Sequence, residues 1–518
     1  MVKMRLLNAF SSKLTCAYPD FLVGKRINKP CKGNQILKLS CLEGNPMKTK
    51  LQDFEKYFIF FILSCFLVAS CSEEKPAPKQ NMEIEQPAIS EQKKRIDAVI
   101  DSYWETLREI ERAAGKESSH SCYSQFKFKE QYDERIPSCA QWVLANTWTD
   151  GTTTSSVLLK AIENNRENME LLSRGVEIDN PVLPPLTGFE TPIPNWRKLY
   201  IIAILHLVDA KRKATEKLSL PEYKTLDQEA HTGLEVLRFG GHFMCDNGTL
   251  IHYFIGNGIR CAAADFLTWI IENDTSLTLD RLDIINQILE HEEKRNSLFA
   301  GWRDDLTVGR DSYVKVYNNV FPQDPPTEFL NHLRNKLSKE MNVNSAALTL
   351  NMIKDIYSTS TLTRYFNEFI HLGEGFAQLS PLEREQETEA YLMQAAELSP
   401  RRSPYLQNVN IPDIVIPLRL EQVVTAKLRL IVTSLAMQEG MRMKRTSQPQ
   451  QSVKILNLDP SWAIDPFTDR SFTTLYMKPG RLILNSQPSE WFFELDQVYA
   501  QNQKLEIDFP TPREKVQE

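Results

Sequence analysis

From Leu250 to Ile271 the chain is apolar nearly all round, with no face on which charged residues gather. A helix with no polar face must be surrounded by other elements. His252, Asn257 and Arg260 inside it argue against a membrane span, because ionisable and polar groups are costly in a bilayer. The rest of the chain must therefore supply the helices that enclose it. Of 518 residues, 42% are hydrophobic and 25% charged, an ordinary globular composition. That length suits roughly two to three domains at about 150 residues each.

The flanking sequence reads as helix after helix. Ile96, Val99, Ile100, Tyr103, Leu107, Ile110 and Ala114 follow a 3.6-residue spacing and predict an amphipathic first helix. A second is expected near Val157–Leu172. The prolines of 180–195 forbid regular helix. Asn195 is placed to cap a helix from Trp196, whose last turns carry lysines and arginines as the helix dipole favours. Another follows Pro221 and is expected to stop at Gly240-Gly241. Asp246-Asn247-Gly248-Thr249 is a turn and cap before the apolar helix. Leu279–Trp302 reads as one long amphipathic helix. Further helices are expected over 327–340, 344–357, 362–378, 381–398 and 417–445, the last with an apolar stripe of Val424, Leu428, Ile431 and Leu435. Only after Val453 do alternating strands appear: SFTTLYM and RLILNS, parted by Lys478-Pro479-Gly480, predict a hairpin. The expected fold is mainly α, a multi-helix bundle or solenoid-like stack (96–445) with a small C-terminal α+β hairpin unit (446–518).

The N-terminus reads as an address. Lys48, Lys50 and Lys56 precede an uncharged run from Tyr57 to Ser70, too short for the roughly 20 residues of a spanning helix but suited to a signal-peptide core. The run ends in Val68-Ala69-Ser70-Cys71, which resembles the lipobox of bacterial lipoproteins. That resemblance implies a diacylglycerol on Cys71, cleavage just before it, and 47–70 as signal peptide. Cys65 also follows a small residue, Ser64, but lies inside the apolar run. The alternative is a buried apolar segment with Cys71 in a core. The segment 71–95 is polar and proline-containing and reads as a tether. Residues 1–46 are basic and lack periodicity. They are read as a non-native extension upstream of a true start at Met47, with a genuine basic arm as the rival. Ser72, rather than aspartate, after the cysteine favours the outer membrane, facing the periplasm.

Nine cysteines are present. Outside the cytoplasm an even number permits disulfides. Cys122 and Cys139 flank a loop-like stretch containing Pro137 and are expected to pair, whereas Cys245 and Cys261 are separated by a helix. With no C-x-x-C pair, a zinc ribbon or thioredoxin-type site is unsupported. A net charge of −6 gives no global positive field for nucleic acid.

Two stretches carry a family resemblance. GGHFMCDNGTLIHYFIGNGIRCAAADFL leads into a long helix-forming segment ending near Arg303, and IDPFTDRSFTTLYMKPGRLILNS follows the 417–445 helix. Together they resemble a set of uncharacterised helical proteins common in planctomycetes. The second stretch also resembles the C-terminal sheet of type II secretion pseudopilins. Asp465, Pro466, Phe467 and Thr468 match the family motif. Asp469-Arg470 departs from it, where the family has glycine, and the closing Gly-Pro-Asp-Gly is lacking. The resemblance covers about the last half of the chain and implies a fold without an activity.

Candidates for chemistry are sparse. His206 and Asp209, with Lys211 nearby, could form a dyad or a helix-surface pair. Glu368 and His371 have the Glu-x-x-His spacing of di-iron bundles, but no second copy is evident. Glu290-His291-Glu292-Glu293 beside Lys294 and Arg295 reads as a solvated face. His242, beside Gly240-Gly241 and Cys245, could be exposed on a turn that offers amides to an anion, or simply join two helices. Trp302-Arg303-Asp304-Asp305 could line a cleft or be ion-paired helix ends. No G-x-S-x-G, H-E-x-x-H, Walker or Rossmann pattern occurs. No metal or cofactor is expected. The reading is a lipid-anchored envelope protein that binds or scaffolds, with an envelope protein as partner. The alternative is an envelope hydrolase or metal-dependent enzyme using His242, His252 or His291 with nearby acids.

Overall fold

The computed structural model describes residues 86–127, 135–146, 148–178, 180–185, 196–220, 225–320, 359–402, 414–443, 446–478, 480–488, 491–492 and 505–511. The expectations for 1–46, for the signal segment with Cys65 and Cys71, for Asn195 and for helices over 327–357 lie outside these residues. The described structure is mainly helical with small C-terminal antiparallel sheets.

Helix α1 (Gln86–Ala114) buries Tyr103 and Leu107, as their spacing predicts. It begins inside the segment read as tether, with Pro87 in its first turn, where a missing N–H costs nothing. Two short helices lie where a loop was expected. They are α2 (Ser119–Ser124) and α3 (Ile136–Ala145), the latter again tolerating Pro137 in its first turn. The helix expected over Val157–Leu172 is two, α4 (Thr153–Asn164) and α5 (Arg166–Glu177). Asn165 parts them, its side-chain amide bonding the Ala161 carbonyl and so competing with the helix ladder. Helix α6 (Trp196–Leu218) follows, then α7 (Asp227–Gly241). α7 ends at Gly241, at the glycine pair where the sequence predicts its stop.

The apolar helix is α8 (Leu250–Asn273), started by a capping box between Thr249 and His252. No residue along it is fully exposed, as its composition requires. The long helix expected over Leu279–Trp302 breaks into α9 (Arg281–Lys294) and α10 (Leu298–Val320). The break has local causes. Arg295 is extended, the Asn296 amide donates to the Met244 carbonyl at 2.8 Å, and the Ser297 hydroxyl accepts from the Phe299 amide. Helices α11 (Thr359–Phe376) and α12 (Pro381–Arg402) form a hairpin, and α13 (Val415–Arg442) runs through the interior. From Leu420 to Gly440 every α13 residue except Thr425 and Arg429 is buried. This second enclosed helix reads in sequence as one with a polar face. Its polar residues escape water by pairing: Lys427 with Asp265 at 2.5 Å, Gln438 with Arg281, and Gln422 with the Pro466 carbonyl.

After the short helix α14 (Pro449–Ile455) come two small sheets. β1 (Ile464–Asp465) pairs with β2 (Arg470–Ser471) around the DPF turn. Asp465 holds that turn through the Phe467 amide, the Ser486 hydroxyl and the Gln487 amide. Asp469 has φ +51°, a conformation glycine adopts without strain. β3 (Thr473–Lys478), β4 (Arg481–Asn485) and β5 (Glu506–Pro510) form the second sheet, antiparallel in that order. Phe467, Phe472, Leu482, Leu484, Ile507 and Phe509 join the same core as α6, α7, α8 and α13. A second core, centred on Trp302, Phe366 and Phe369, binds α10 to α11. Among the described residues no helix is long and apolar enough to cross a membrane.

Candidate functional site

The histidines among the described residues sort into three environments. His120, His242, His252 and His291 are buried where α2, the turn after α7, α8 and α9 meet. His120 makes edge contacts with Tyr123 and Phe243, ring centroids 5.4 and 5.7 Å apart. The His242 Nδ1 lies 2.8 Å from the Tyr123 hydroxyl. The His252 Nδ1 lies 2.9 Å from the Thr249 hydroxyl, which fixes the start of α8. His291 lies against Gly241 so closely that a Cβ there would sit 2.0 Å from the imidazole. Burial holds His120 well below the ordinary histidine range, with His242 and His252 adding repulsion. Burial also lowers His252 and His291 to about 3. These rings are neutral at physiological pH. His242 is thus packed inside the protein, not displayed on the surface, because Gly240 and Gly241 let α8 and α9 close over the end of α7.

His291 and Glu292 face inward, whereas Glu290 and Glu293 face water, so the run read as a solvated face is only half so. His291 continues the buried row Ile284 and Ile288, at helical spacing. Glu292 pairs with Arg260 of α8 and Arg295, and Arg295 reaches Glu421 of α13 at 2.6 Å. Burial pushes the Glu292 carboxyl up, but the two guanidinium groups outweigh it and bring it down to about 2. This network ties three helices together. Asp305 is half-buried, and desolvation raises it to about 7 even though it accepts the Leu250 amide at 2.6 Å. It caps α8 from a neighbouring helix, while Asp304 pairs with Arg303. The ion-paired helix-end reading of Trp302–Asp305 fits this geometry.

His206 does not meet Asp209, which instead binds Arg212 and Lys213. Lys211 turns inward to the Leu144 carbonyl, over the Trp269 ring, and burial lowers it to about 8. The partner of His206 is Glu235 of α7, 3.2 Å from Nε2, with the Ser173 hydroxyl of α5 3.5 Å from the same nitrogen. Serine, histidine and carboxylate thus meet at a half-buried spot. A relay needs the carboxylate on one ring nitrogen and the serine on the other. Here both address Nε2, and the hydroxyl donates to Glu235 directly at 3.1 Å. The trio works as a polar link between helices, with His231 3.5 Å from the other Glu235 oxygen.

His371 is exposed and lies 3.5 Å from Glu374, so the Glu368–His371 spacing does not project a pair of ligands into a bundle core. Among the described residues no group of three or more His, Cys, Asp or Glu side chains is arranged to hold a metal. His371 borders an open groove of about 360 Å³ between α11 and α12. Leu372, Gly375, Phe376 and Leu379 form its floor, and Glu383 and Glu387 stand on the α12 side. Cys122 is buried on α2 and Cys139 half-buried on α3; both are free thiols in the structure.

His120, Ser173, Glu235 and Glu421 escape sequence reasoning. His120 meets Phe243, Ser173 and Glu235 meet His206, and Glu421 meets Arg295 across 29 or more residues of sequence, a proximity only the fold supplies. Comparison with family models, with curated proteins and with solved structures finds no match to this chain.

Proposed function

We propose that this chain is a lipid-anchored protein of the bacterial cell envelope, held through Cys71, that acts by binding a partner at the α11–α12 groove. The supporting observation is where reactive and accessible groups lie. The buried histidines and acids pair or pack between helices, whereas the groove opens an apolar floor edged by carboxylates. Glu385 and Glu389, on the same helix, are neutralised by Arg419, but Glu383 and Glu387 are both exposed at the groove. The complementary occupant is a cationic segment that inserts one apolar side chain and sets a lysine or arginine against the rim.

The anchor and the groove are tested separately. Mass spectrometry of the N-terminal peptide should find an acylated Cys71; an unmodified cysteine or a start at Met1 removes the anchor. For the groove, a photo-crosslinking residue at Leu372 of the anchored full chain, irradiated in its native envelope, should yield a partner peptide with basic and apolar residues side by side. The adduct should vanish when Glu383 and Glu387 are both changed to lysine. An adduct indifferent to that reversal removes the groove reading and leaves the anchor untouched.

A further inference from the structure

We propose that α2 is an acid-released latch: protonation of His120 expels this short helix from the histidine cluster and uncovers the aromatic surface of Phe239 and Phe243. Neither ring nitrogen of His120 has a hydrogen-bond partner among the described residues, and the residue is fully buried. A protonated imidazole carries two N–H donors and a charge, and both need partners. The titratable groups acting on the ring are the imidazoles of His242, after α7, and His252 on α8. The Tyr123 phenol of α2 itself touches the ring edge. Arg238 and Cys245 act on Tyr123, and Glu111, Glu117 and Arg174 on the neighbouring Cys122. None of the groups acting on His120 is a carboxylate that could receive the new charge.

The helix that carries this ring is short, with Cys122 and Tyr123 packed against Gly175 of α5. α2 spans six residues. Its start is clasped by hydroxyls: Ser118 donates to the Val182 carbonyl at 3.1 Å, Ser119 to the Ile178 carbonyl at 2.5 Å, and Ser121 to Glu111 at 2.6 Å. Such bonds are readily replaced by water. Its other anchor is Tyr123, which packs edge-on against Phe239 and touches His242 through its hydroxyl. Moving α2 outward delivers His120 to solvent without unravelling α8 or α13. Local openings of this kind require less free energy than global unfolding.

Cys122, on α2, reports the opening. The reduced full-length protein would be labelled with 4,4′-dithiodipyridine, a disulfide that reacts with thiols in acid, at pH 7.5 and pH 5.0. Rates would be normalised to an unstructured thiol peptide and assigned by peptide mapping. One histidine that ionises near its ordinary pKa only when open should raise the open fraction about 30-fold at pH 5.0. The expected result is that rise at Cys122, with Cys261 of α8 unlabelled. It should be absent in His120→Phe, which suits the aromatic surroundings, and in His120→Asn, which cannot ionise and serves if the first variant misfolds. An unchanged Cys122 rate, parallel labelling of Cys261, or a rise that survives both substitutions overturns the latch.

Discussion

Gly240 and Gly256 hold α7 and α8 in backbone contact: a Cβ on Gly256 would lie 2.5 Å from the Gly240 carbonyl oxygen. The obstruction is main chain, so it cannot rotate away as a side chain could. Gly256→Ala should therefore separate the two helices and overpack the centre of the molecule, at a cost of about 1–3 kcal/mol. Urea unfolding would show it as a lower midpoint with an unchanged slope. A variant as stable as the wild type would mean that the helices part freely.

This contact also shows what was legible in the sequence. The glycine pair read as a stop because glycine disfavours helix interiors. α7 does end at Gly241, but the close approach of α8 that Gly240 allows is set by the fold. The enclosed α8 was legible because almost nothing in it is polar. The equally enclosed α13 was not, because Lys427 and Gln438 look solvent-facing until Asp265 and Arg281 are brought to them. The candidate sites were opaque for the same reason. His242, His252 and His291 were visible as residues, but burial, which decides their chemistry, is a property of the fold.

Glu292→Gln should be strongly destabilising. Arg260 is fully buried, and Glu292 is its carboxylate partner. Removing one partner of a buried pair leaves the other charge stranded, typically at about 3–5 kcal/mol. Pairing Glu292→Leu with Arg260→Met should recover part of that loss, because no charge is then left behind. Thermal melts of the single and double variants decide this; a double variant no better than Glu292→Gln would show that the network is not the source of the loss.

The pH dependence of stability has a definite sign. His252 and His291 have folded pKa values of about 3, below the ordinary 6.5 of the unfolded chain. Their contribution is intact above pH about 6.5. It is lost as the pH falls toward 3, because only the unfolded chain accepts the protons. Asp305 acts oppositely: its folded pKa, about 7, exceeds the unfolded value, so the folded state takes up its proton first as the pH falls. Two protons against one leave a net loss of one proton's linkage, about 1 kcal/mol per pH unit between roughly pH 6 and 4. Asp305→Asn removes the opposing proton and should steepen the decline to about 3 kcal/mol per unit. Denaturant titrations across that window measure both slopes. Stability that is flat or rising from pH 6 to pH 4.5 would show that the histidines do not stay neutral in the folded state.

The C-terminal sheets should be indispensable to the helical body. The hairpin was expected to lean on the helix that precedes it, and α13 does support it: Arg429 and Thr433 bond the Ile464 and Trp462 carbonyls, and Gln438 bonds that of Pro510. α8 is a second support, since the Glu272 carbonyl accepts from Arg481 and its carboxylate from the Asp508 amide. Truncation after Lys444 would remove Phe467, Phe472, Leu482, Leu484, Ile507 and Phe509, all buried in the shared core. Each fully buried side chain of this size contributes about 1.5–3 kcal/mol, so the loss exceeds the net stability of an ordinary domain. The shortened chain should therefore aggregate or stay unfolded, with the faces of α8 and α13 left bare. Size-exclusion chromatography and a thermal melt test this. A truncated protein that runs as a monomer and melts like the full chain would mean that the helices form a complete core alone. The buried faces of α13 would then need another explanation.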